Sequence, residues 1–319
     1  MPLLEEMEKY KYYLGITPVA EDFDEYWKEA LEELDKEDLD CVLKETENDF
    51  EGVLTYDFYF KGMNGENVHC LYAIPKNITG KIPAVIFYHG YKGNAGSIYS
   101  KVPYVYNNMA TLSFEVPGQG GKSEDNYTAN GPTLYGQIIK GAGDEDKKKL
   151  FYRGVYLDAL KAIRILKSFD YIDEKRIAVT GKSQGGALSI VSAALEDIKL
   201  AAPIYPFLCD FKKIYEMNLC QDAYKELRDY FRKYDPTHET EDEFFKRLSY
   251  IDVKNFGTRV DCEVLWFTAL EDKLCPPITQ MACYNKITSK KSLKIYPEYE
   301  HEDLLYSDDY IFSFFKKNL

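Results

Sequence analysis

Apolar positions along the chain fall into short runs that switch between two periods. Ile82–His89 (Ile-Pro-Ala-Val-Ile-Phe-Tyr-His) and Thr111–Val116 are nearly continuous apolar runs. So are the stretch Arg176–Thr180, Leu200–Ile204, Glu263–Leu270 and Ser292–Tyr296. Runs of this length, rich in β-branched residues, predict strands buried on both faces. Between them the period lengthens. Arg153–Ser168 carries Val155, Leu157, Ala159, Leu160, Ile163 and Leu166 at helical spacing. Helices are also predicted after Ser183 as far as Ala194, over Ile278–Tyr284, and from near Ser307 with Ile311, Phe314 and Phe315. Strand–helix alternation of this kind predicts an α/β fold: a mostly parallel central sheet with helices on both faces. Such sheets hold their sites at the carboxyl ends of the strands.

The flanks depart from that rhythm. Residues 1–20 read as an irregular lead, and Glu21–Lys36 as a helix with Phe23, Trp27, Ala30, Leu31 and Leu34 on one face; together, residues 1–50 form an N-terminal, helical lead. Val53–Lys61 and Asn67–Ile74 alternate with period two around the turn Gly62-Met63-Asn64-Gly65-Glu66. That pattern predicts an antiparallel hairpin at the sheet edge. Pro203 and Pro206 are expected to break the strand at 200–204. Residues 207–258 read as charged helices at Lys212–Leu219, Ala223–Lys233 and Glu241–Ser249. A helical insertion of that size is a lid or an oligomer interface. With no repeat or Pro/Ser linker, residues 1–319 read as a single domain.

Charge and composition narrow the partners. The net charge of −13 disfavours nucleic acid and anionic membrane. No apolar run approaches the ~18 residues of a membrane span, and the opening Met1-Pro2-Leu3-Leu4-Glu5-Glu6 lacks a basic region followed by an apolar core. Seven scattered cysteines point to free thiols in a reducing, cytoplasmic setting. They and the four histidines show no spacing that forms a ligand cluster, so no metal and no cofactor are expected.

The candidate chemistry centres on Gly181-Lys182-Ser183-Gln184-Gly185, a G-x-S-x-G pattern between a strand and a helix. Glycines flank the serine because side chains there would crowd a sharp turn. The turn lifts the Ser183 hydroxyl to the top of the sheet, and the N–H of Gln184 points from a helix N-terminus at a developing oxyanion. A serine hydroxyl needs a base, and the base needs an orienting carboxylate. With the chain order Ser, acid, His, His301 after the last strand is the candidate base. Asp272, directly after the strand at 263–270, is the favoured acid, with Glu271 its rival by position. His69 reads as a core or hairpin-face residue, His89 as a brace for the loop Gly90–Gly96, and His238 as a surface residue. Glu298, Glu300 and Glu302 sit too close to His301 in sequence to hold its ring and are expected to be exposed. The backbone N–H of Tyr91 is the candidate second oxyanion donor.

These residues resemble a known family. Gly181-Lys182-Ser183-Gln184-Gly185-Gly186, Gly118-Gln119 followed by Gly120, and His301-Glu302 look like the three signature motifs of carbohydrate esterase family 7, the acetyl xylan esterases and cephalosporin-C deacetylases. Tyr88–Tyr91, Pro206–Cys209, Arg247–Tyr250 and Asp272–Pro277 match as well, so the likeness runs through nearly the whole chain. The resemblance implies an α/β-hydrolase fold with Ser183, Asp272 and His301 as the catalytic residues and the N–H groups of Tyr91 and Gln184 as oxyanion donors. It implies substrate contacts at Tyr91, Pro117, Gln119 and Phe207. It implies a small acetylated carbohydrate as substrate, no metal, and a homo-oligomer, typically a hexamer, with residues 207–258 and parts of 130–150 at interfaces. Two positions depart from the family pattern. Pro117 stands where the family has arginine, and Lys182 stands where a small residue is usual.

The chain therefore reads as a cytoplasmic serine esterase that removes acetyl groups from xylo-oligosaccharides, with cephalosporin C as a further substrate. The same triad also serves peptidases, thioesterases and short-chain carboxylesterases, and the scaffold can carry a non-catalytic binding protein.

Overall fold

The computed structural model describes residues 2–134 and 136–319, with backbone alone for Pro2, Leu3, Leu4 and Glu6. Met1 and Tyr135, the latter inside the 130–150 stretch expected at an interface, lie outside the described residues. The chain begins with helices α1 (Pro2–Tyr10) and α2 (Phe23–Leu34), then strands β1 (Cys41–Thr46), β2 (Val53–Lys61), β3 (Asn67–Pro75) and β4 (Ile82–Tyr88). A short helix α3 (Val102–Val105), β5 (Ala110–Phe114), α4 (Phe151–Lys167), β6 (Ile172–Lys182), α5 (Gln184–Leu195) and β7 (Leu200–Ile204) follow. Helices α6 (Phe211–Glu216), α7 (Lys225–Tyr234) and α8 (Glu241–Leu248) intervene before β8 (Glu263–Ala269), α9 (Pro277–Tyr284), β9 (Lys291–Tyr296) and α10 (Ser307–Asn318).

Among the described residues, nine strands form one sheet in the order β1-β2-β3-β5-β4-β6-β7-β8-β9. Pairing is antiparallel from β1 through β3 to β5. It is parallel from β5 through β4, β6, β7 and β8 to β9. Every residue of β5 and of β7 is buried, so both faces of the central strands are covered. This is what continuous apolar runs dictate: with no polar face to turn to water, such strands need helices on each side.

Three expectations are corrected. The lead is not irregular throughout, because residues 2–10 form α1. The β2–β3 hairpin is not the sheet edge, because β1 pairs with β2 from Thr55 to Phe60. Strand β1 escapes sequence reading because four of its six residues are exposed, which leaves no alternation to detect. Pro203 does not break β7. It pairs with Gly181 of β6, and the pairing to β8 lapses at Ala202 and Pro203. The missing N–H thus falls where the ladder is interrupted.

Helix α2 locks its apolar face into the body. Trp27 is fully buried, meets Phe256 and Tyr156 at ring centroids 5.2 and 5.9 Å, and donates its indole N–H to the Tyr250 carbonyl at 2.9 Å. The insertion packs rather than projects: Phe244 stacks on Tyr230 at 4.1 Å, and Phe231 and Phe245 are buried. The carboxyl ends of β4, β5, β6, β7 and β8 all open toward one edge of the sheet, where the loops carrying the candidate residues converge.

Candidate active site

Ser183 is the single residue between β6 and α5, with φ 56° and ψ −114°. That left-handed backbone costs a non-glycine residue about 1–3 kcal/mol, so the surroundings must enforce it. They do so through three backbone hydrogen bonds. The Ser183 N–H donates to the Ile204 carbonyl, and the Ser183 carbonyl accepts from Ala187 and Phe207, all at 3.0 Å. The flanking glycines are required by contact. A Cβ on Gly181 would stand 2.4 Å from the Tyr88 carbonyl oxygen, and one on Gly185 would stand 2.1 Å from the same atom. The turn therefore fits between β4 and β7 only with glycine on each side of the serine.

The carboxylate that reaches His301 is Asp272's, with Oδ2 2.8 Å from His301 Nδ1. Its other oxygen, Oδ1, accepts the backbone N–H groups of Leu274 and Cys275 at 2.9 and 2.7 Å. Glu271 is exposed and donates its backbone N–H to the Tyr299 carbonyl, so the alternative acid points to solvent. The His301 ring lies against Tyr205, centroids 4.7 Å apart, and the Tyr205 hydroxyl donates to the Glu302 carbonyl at 2.9 Å. Among the described residues no hydrogen bond joins Ser183 Oγ to His301. Ser183 Oγ lies 3.9 Å from the Cys275 sulfur instead. Such contacts commonly tighten only when substrate is bound.

Cys275 is one of the residues that sequence reasoning missed. It follows Asp272 by three positions and sits between the serine and the histidine–carboxylate pair. Burial, with the charge of Asp272, pushes its thiol well above the usual range. Asp272, Cys275 and His301 offer three ligand atoms within 4.8 Å of one another. The expectation that histidines and cysteines form no cluster is corrected here, because the strand-end loops bring together residues that are far apart in sequence. A thiol kept protonated is a poor ligand, since metal binding requires the thiolate.

The two candidate oxyanion segments are tied by one amide pair. Gln119 Nε2 donates to Gln184 Oε1 at 2.8 Å, and Gln184 Nε2 returns a bond to Gln119 Oε1 at 3.0 Å. Gln119 Oε1 also accepts the Lys92 N–H at 2.9 Å, one residue after Tyr91. The buried Tyr152 hydroxyl donates to Gln184 Oε1 at 2.8 Å, and Gln119 Nε2 reaches Gln137 Oε1 at 3.2 Å. As the first residue of α5, Gln184 has no carbonyl of its own helix to take its N–H, which leaves that donor for a ligand. His89 fixes the same loop: its Nδ1 bonds the Gly90 carbonyl at 2.7 Å and its Nε2 accepts the Val116 N–H at 3.0 Å. Burial depresses the His89 pKa, in keeping with a neutral ring in that bracing role.

A further brace lies beneath. Glu115 accepts the Ala95 N–H at 3.0 Å and the Lys122 N–H at 2.6 Å, and its Oε2 lies 2.8 Å from His69 Nδ1. Burial opposes its ionisation, but His69 and the two N–H groups outweigh burial and bring its carboxyl down to about 2. His69 is buried on the hairpin and also meets Asp57 at 2.7 Å. His238 is at the surface, stacked on Phe231 and 2.7 Å from Glu241. Glu298, Glu300 and Glu302 are exposed.

The remaining predicted residues divide. Pro117 is buried beside Gly118, which has φ 68°. Phe207 is buried with its ring 4.3 Å from that of Tyr224, so its clearest contribution is the N–H that holds the Ser183 carbonyl. Lys182 directs its ammonium away from Ser183, to Asp303 at 2.7 Å.

An acetyl xylan esterase (AXE1) family model matches residues 1–318. Acetyl xylan esterase 1 from Thermoanaerobacterium sp. is 41% identical and superposes with a TM-score of 0.94, covering 97% of this chain and 98% of that one. An acetyl xylan esterase from Paenibacillus sp. R4 is 31% identical with a TM-score of 0.93, covering 98% and 99%. The acetyl esterase Axe7A of Xylanibacter ruminicola is 28% identical over 298 residues, 89% of this chain. The match spans 64% of that relative's own length.

Proposed function

This chain belongs to the acetyl xylan esterase family, and we propose that it is a serine esterase removing acetyl groups from acetylated xylo-oligosaccharides. The single observation that carries the mechanism is the Asp272–His301 bond at 2.8 Å, set at the strand ends beside a serine held at φ 56°. In this reading His301 Nε2 takes the Ser183 proton as Oγ attacks the acetyl carbonyl. Asp272 keeps the other ring nitrogen protonated and stabilises the imidazolium. The N–H groups of Tyr91 and Gln184 receive the oxyanion. His301 returns the proton to the departing sugar hydroxyl, and water then releases acetate from Ser183. None of these steps calls on a metal or cofactor.

The test is steady-state hydrolysis of p-nitrophenyl acetate, acetylated xylobiose and cephalosporin C by wild type and Ser183→Ala. Wild type is expected to cleave all three, and the variant to lose roughly 10⁶-fold in kcat, the scale of a lost triad nucleophile. A variant that retains most of its rate overturns the mechanism. A wild type that prefers octanoyl to acetyl esters overturns the substrate class.

The proposal extends to assembly and setting. A homo-oligomer, a hexamer by family likeness, is supported by the apolar side chains the lead leaves in solvent, Tyr12, Leu14 and Val19 among them. Light scattering on the eluting peak is expected to give a multiple of 37.0 kDa, and a monomer would remove the interface role from residues 207–258. A cytoplasmic setting is supported by seven free cysteines. Localisation of a tagged chain in its host checks it.

A further inference from the structure

A cleft of about 580 Å³ lies behind the candidate nucleophile turn, between the ends of β4, β5 and β6 and helices α3 and α10. Its volume is in the range of small-molecule sites. It is not the space above Ser183: Gly181 and Lys182 line it, and Ser183 does not.

One wall is aromatic. Tyr104 meets Phe87 and Phe312 edge to face, at centroid distances of 5.1 and 5.0 Å. Lys101 lays its ammonium over the Phe87 ring, 4.2 Å from the centroid. The only hydrogen bond of this ammonium among the described residues is to the Ser100 hydroxyl at 3.0 Å, and it makes no ion pair there. Burial lowers the Lys101 pKa to about 8, so the ammonium is poorly hydrated where it stands. Asp308 and Asp309 also line the cleft, and the Asp308 charge favours the Lys101 ammonium without forming an ion pair with it. Asp303 and Asp308 are 89% and 84% exposed and engage Lys182, at 2.7 and 3.8 Å, and Asp309 is exposed. Deep in the cleft, Ser113 is 2% exposed and its hydroxyl has no hydrogen-bond partner. Ser113 lines the cleft, but its hydroxyl oxygen is itself covered, so the residue contributes shape rather than a hydrogen bond.

We propose that this cleft is a second ligand site, separate from the esterase centre, which takes a small aromatic carboxylate: its ring against the Phe87–Tyr104–Phe312 wall and its carboxylate on Lys101. The aromatic wall supplies shape and apolar area. The unpaired ammonium supplies selection for an anion over its neutral analogue, because a charge already stripped of water gains most from a counter-ion.

Calorimetric titration tests this with trans-cinnamate and its neutral analogue cinnamamide as probes. Wild type is expected to bind one cinnamate per chain with a Kd of roughly millimolar or tighter, and cinnamamide at least tenfold more weakly; that comparison needs no variant. Lys101→Met keeps the apolar stem, removes the charge, and is expected to keep its Tm while losing at least tenfold in cinnamate affinity. Protein carrying a fluorophosphonate adduct on Ser183, with the adduct verified by mass, is expected to bind cinnamate as wild type does. No cinnamate binding, or equal binding of acid and amide, overturns the proposal. So does binding unchanged by Lys101→Met. Binding lost only in the Ser183 adduct would place the probe in the esterase cleft and overturn the second site while leaving the esterase reading intact.

Discussion

Asp272 is held from two sides, and that makes its role testable by one atom. Oδ1 is committed to the N–H groups of Leu274 and Cys275, so an asparagine there would keep its carbonyl oxygen on those donors. Its amide nitrogen would then face His301 Nδ1. The ring would have to accept at Nδ1 and carry its proton on Nε2, where it could not receive the serine proton. Asp272→Asn is therefore expected to fold normally and to lose about 10⁴-fold in kcat, the scale of the equivalent change in a serine protease triad. Unfolding curves and acetyl-ester kinetics measured together check this, and a rate within tenfold of wild type would remove Asp272 from the mechanism. Ser183, Asp272 and His301 could be named as candidates because chemistry restricts their residue types and the strand pattern fixes their positions. Cys275, Tyr205 and Tyr152 were not. Each is an ordinary core residue by type, and each acquires meaning only through a neighbour at least 30 positions away: Ser183 for Cys275, Gln184 for Tyr152 and His301 for Tyr205. The Gln119–Gln184 pair shows the same limit, since a 65-residue separation leaves no local signal.

Among the elements, β4, β5, β8 and the second half of β6 were readable because burial on both faces leaves an apolar run, whereas β1 is mostly exposed and carries no such mark. The insertion was readable as charged helices, but what fastens it was not. Glu226, in the first turn of α7, is fully buried and accepts the N–H groups of Gly136 and Ile139 at 2.8 and 3.0 Å. It thereby ties α7 to the loop before α4. Burial raises its carboxyl to about 7 despite those donors. A folded pKa above the unfolded value near 4.5 means the group favours folding fully below pH ~4.5 and loses that contribution as pH rises through ~7. The span is worth about 3 kcal/mol. Glu226→Gln cannot ionise and carries only a constant offset from its altered hydrogen bonds. The stability of the variant relative to wild type is expected to climb between about pH 4.5 and 7 and then level off. Denaturant unfolding across that range checks it, and a difference that stays flat would show that Glu226 ionises no differently in the folded chain.

At the scale of the whole molecule, one carboxylate closes the chain on itself. Asp210, just after β7, accepts the Tyr13 hydroxyl at 2.5 Å, the Ile16 N–H at 3.0 Å, and both the N–H and the hydroxyl of Thr17 at 2.8 Å. Asn285, at the end of α9, donates to the carbonyls of Tyr10 and Tyr13 at 2.8 and 2.9 Å. The lead is thus strapped across the insertion and α9, and its Met7 and Tyr10 line a cleft whose other wall holds Leu270, Asp272 and Pro276. The strap lies over the loop that presents the candidate acid, so its hold on the body should reach the rate of hydrolysis as well as the stability. Asp210 has φ 54°, a backbone that asparagine tolerates and alanine does not. Asp210→Asn keeps one acceptor and converts the other into a donor facing Ile16 and Tyr13. It is expected to cost about 2–3 kcal/mol, to open residues 11–16 to limited proteolysis before the body unfolds, and to lower kcat several-fold with KM little changed. Cleavage mapped by mass spectrometry, alongside kinetics on the uncut variant, separates the parts. Early cleavage with an unchanged kcat would mean that the strap protects the chain's beginning without steadying the Asp272 loop. Resistance equal to wild type would mean that the contacts from Asn285 hold the lead alone.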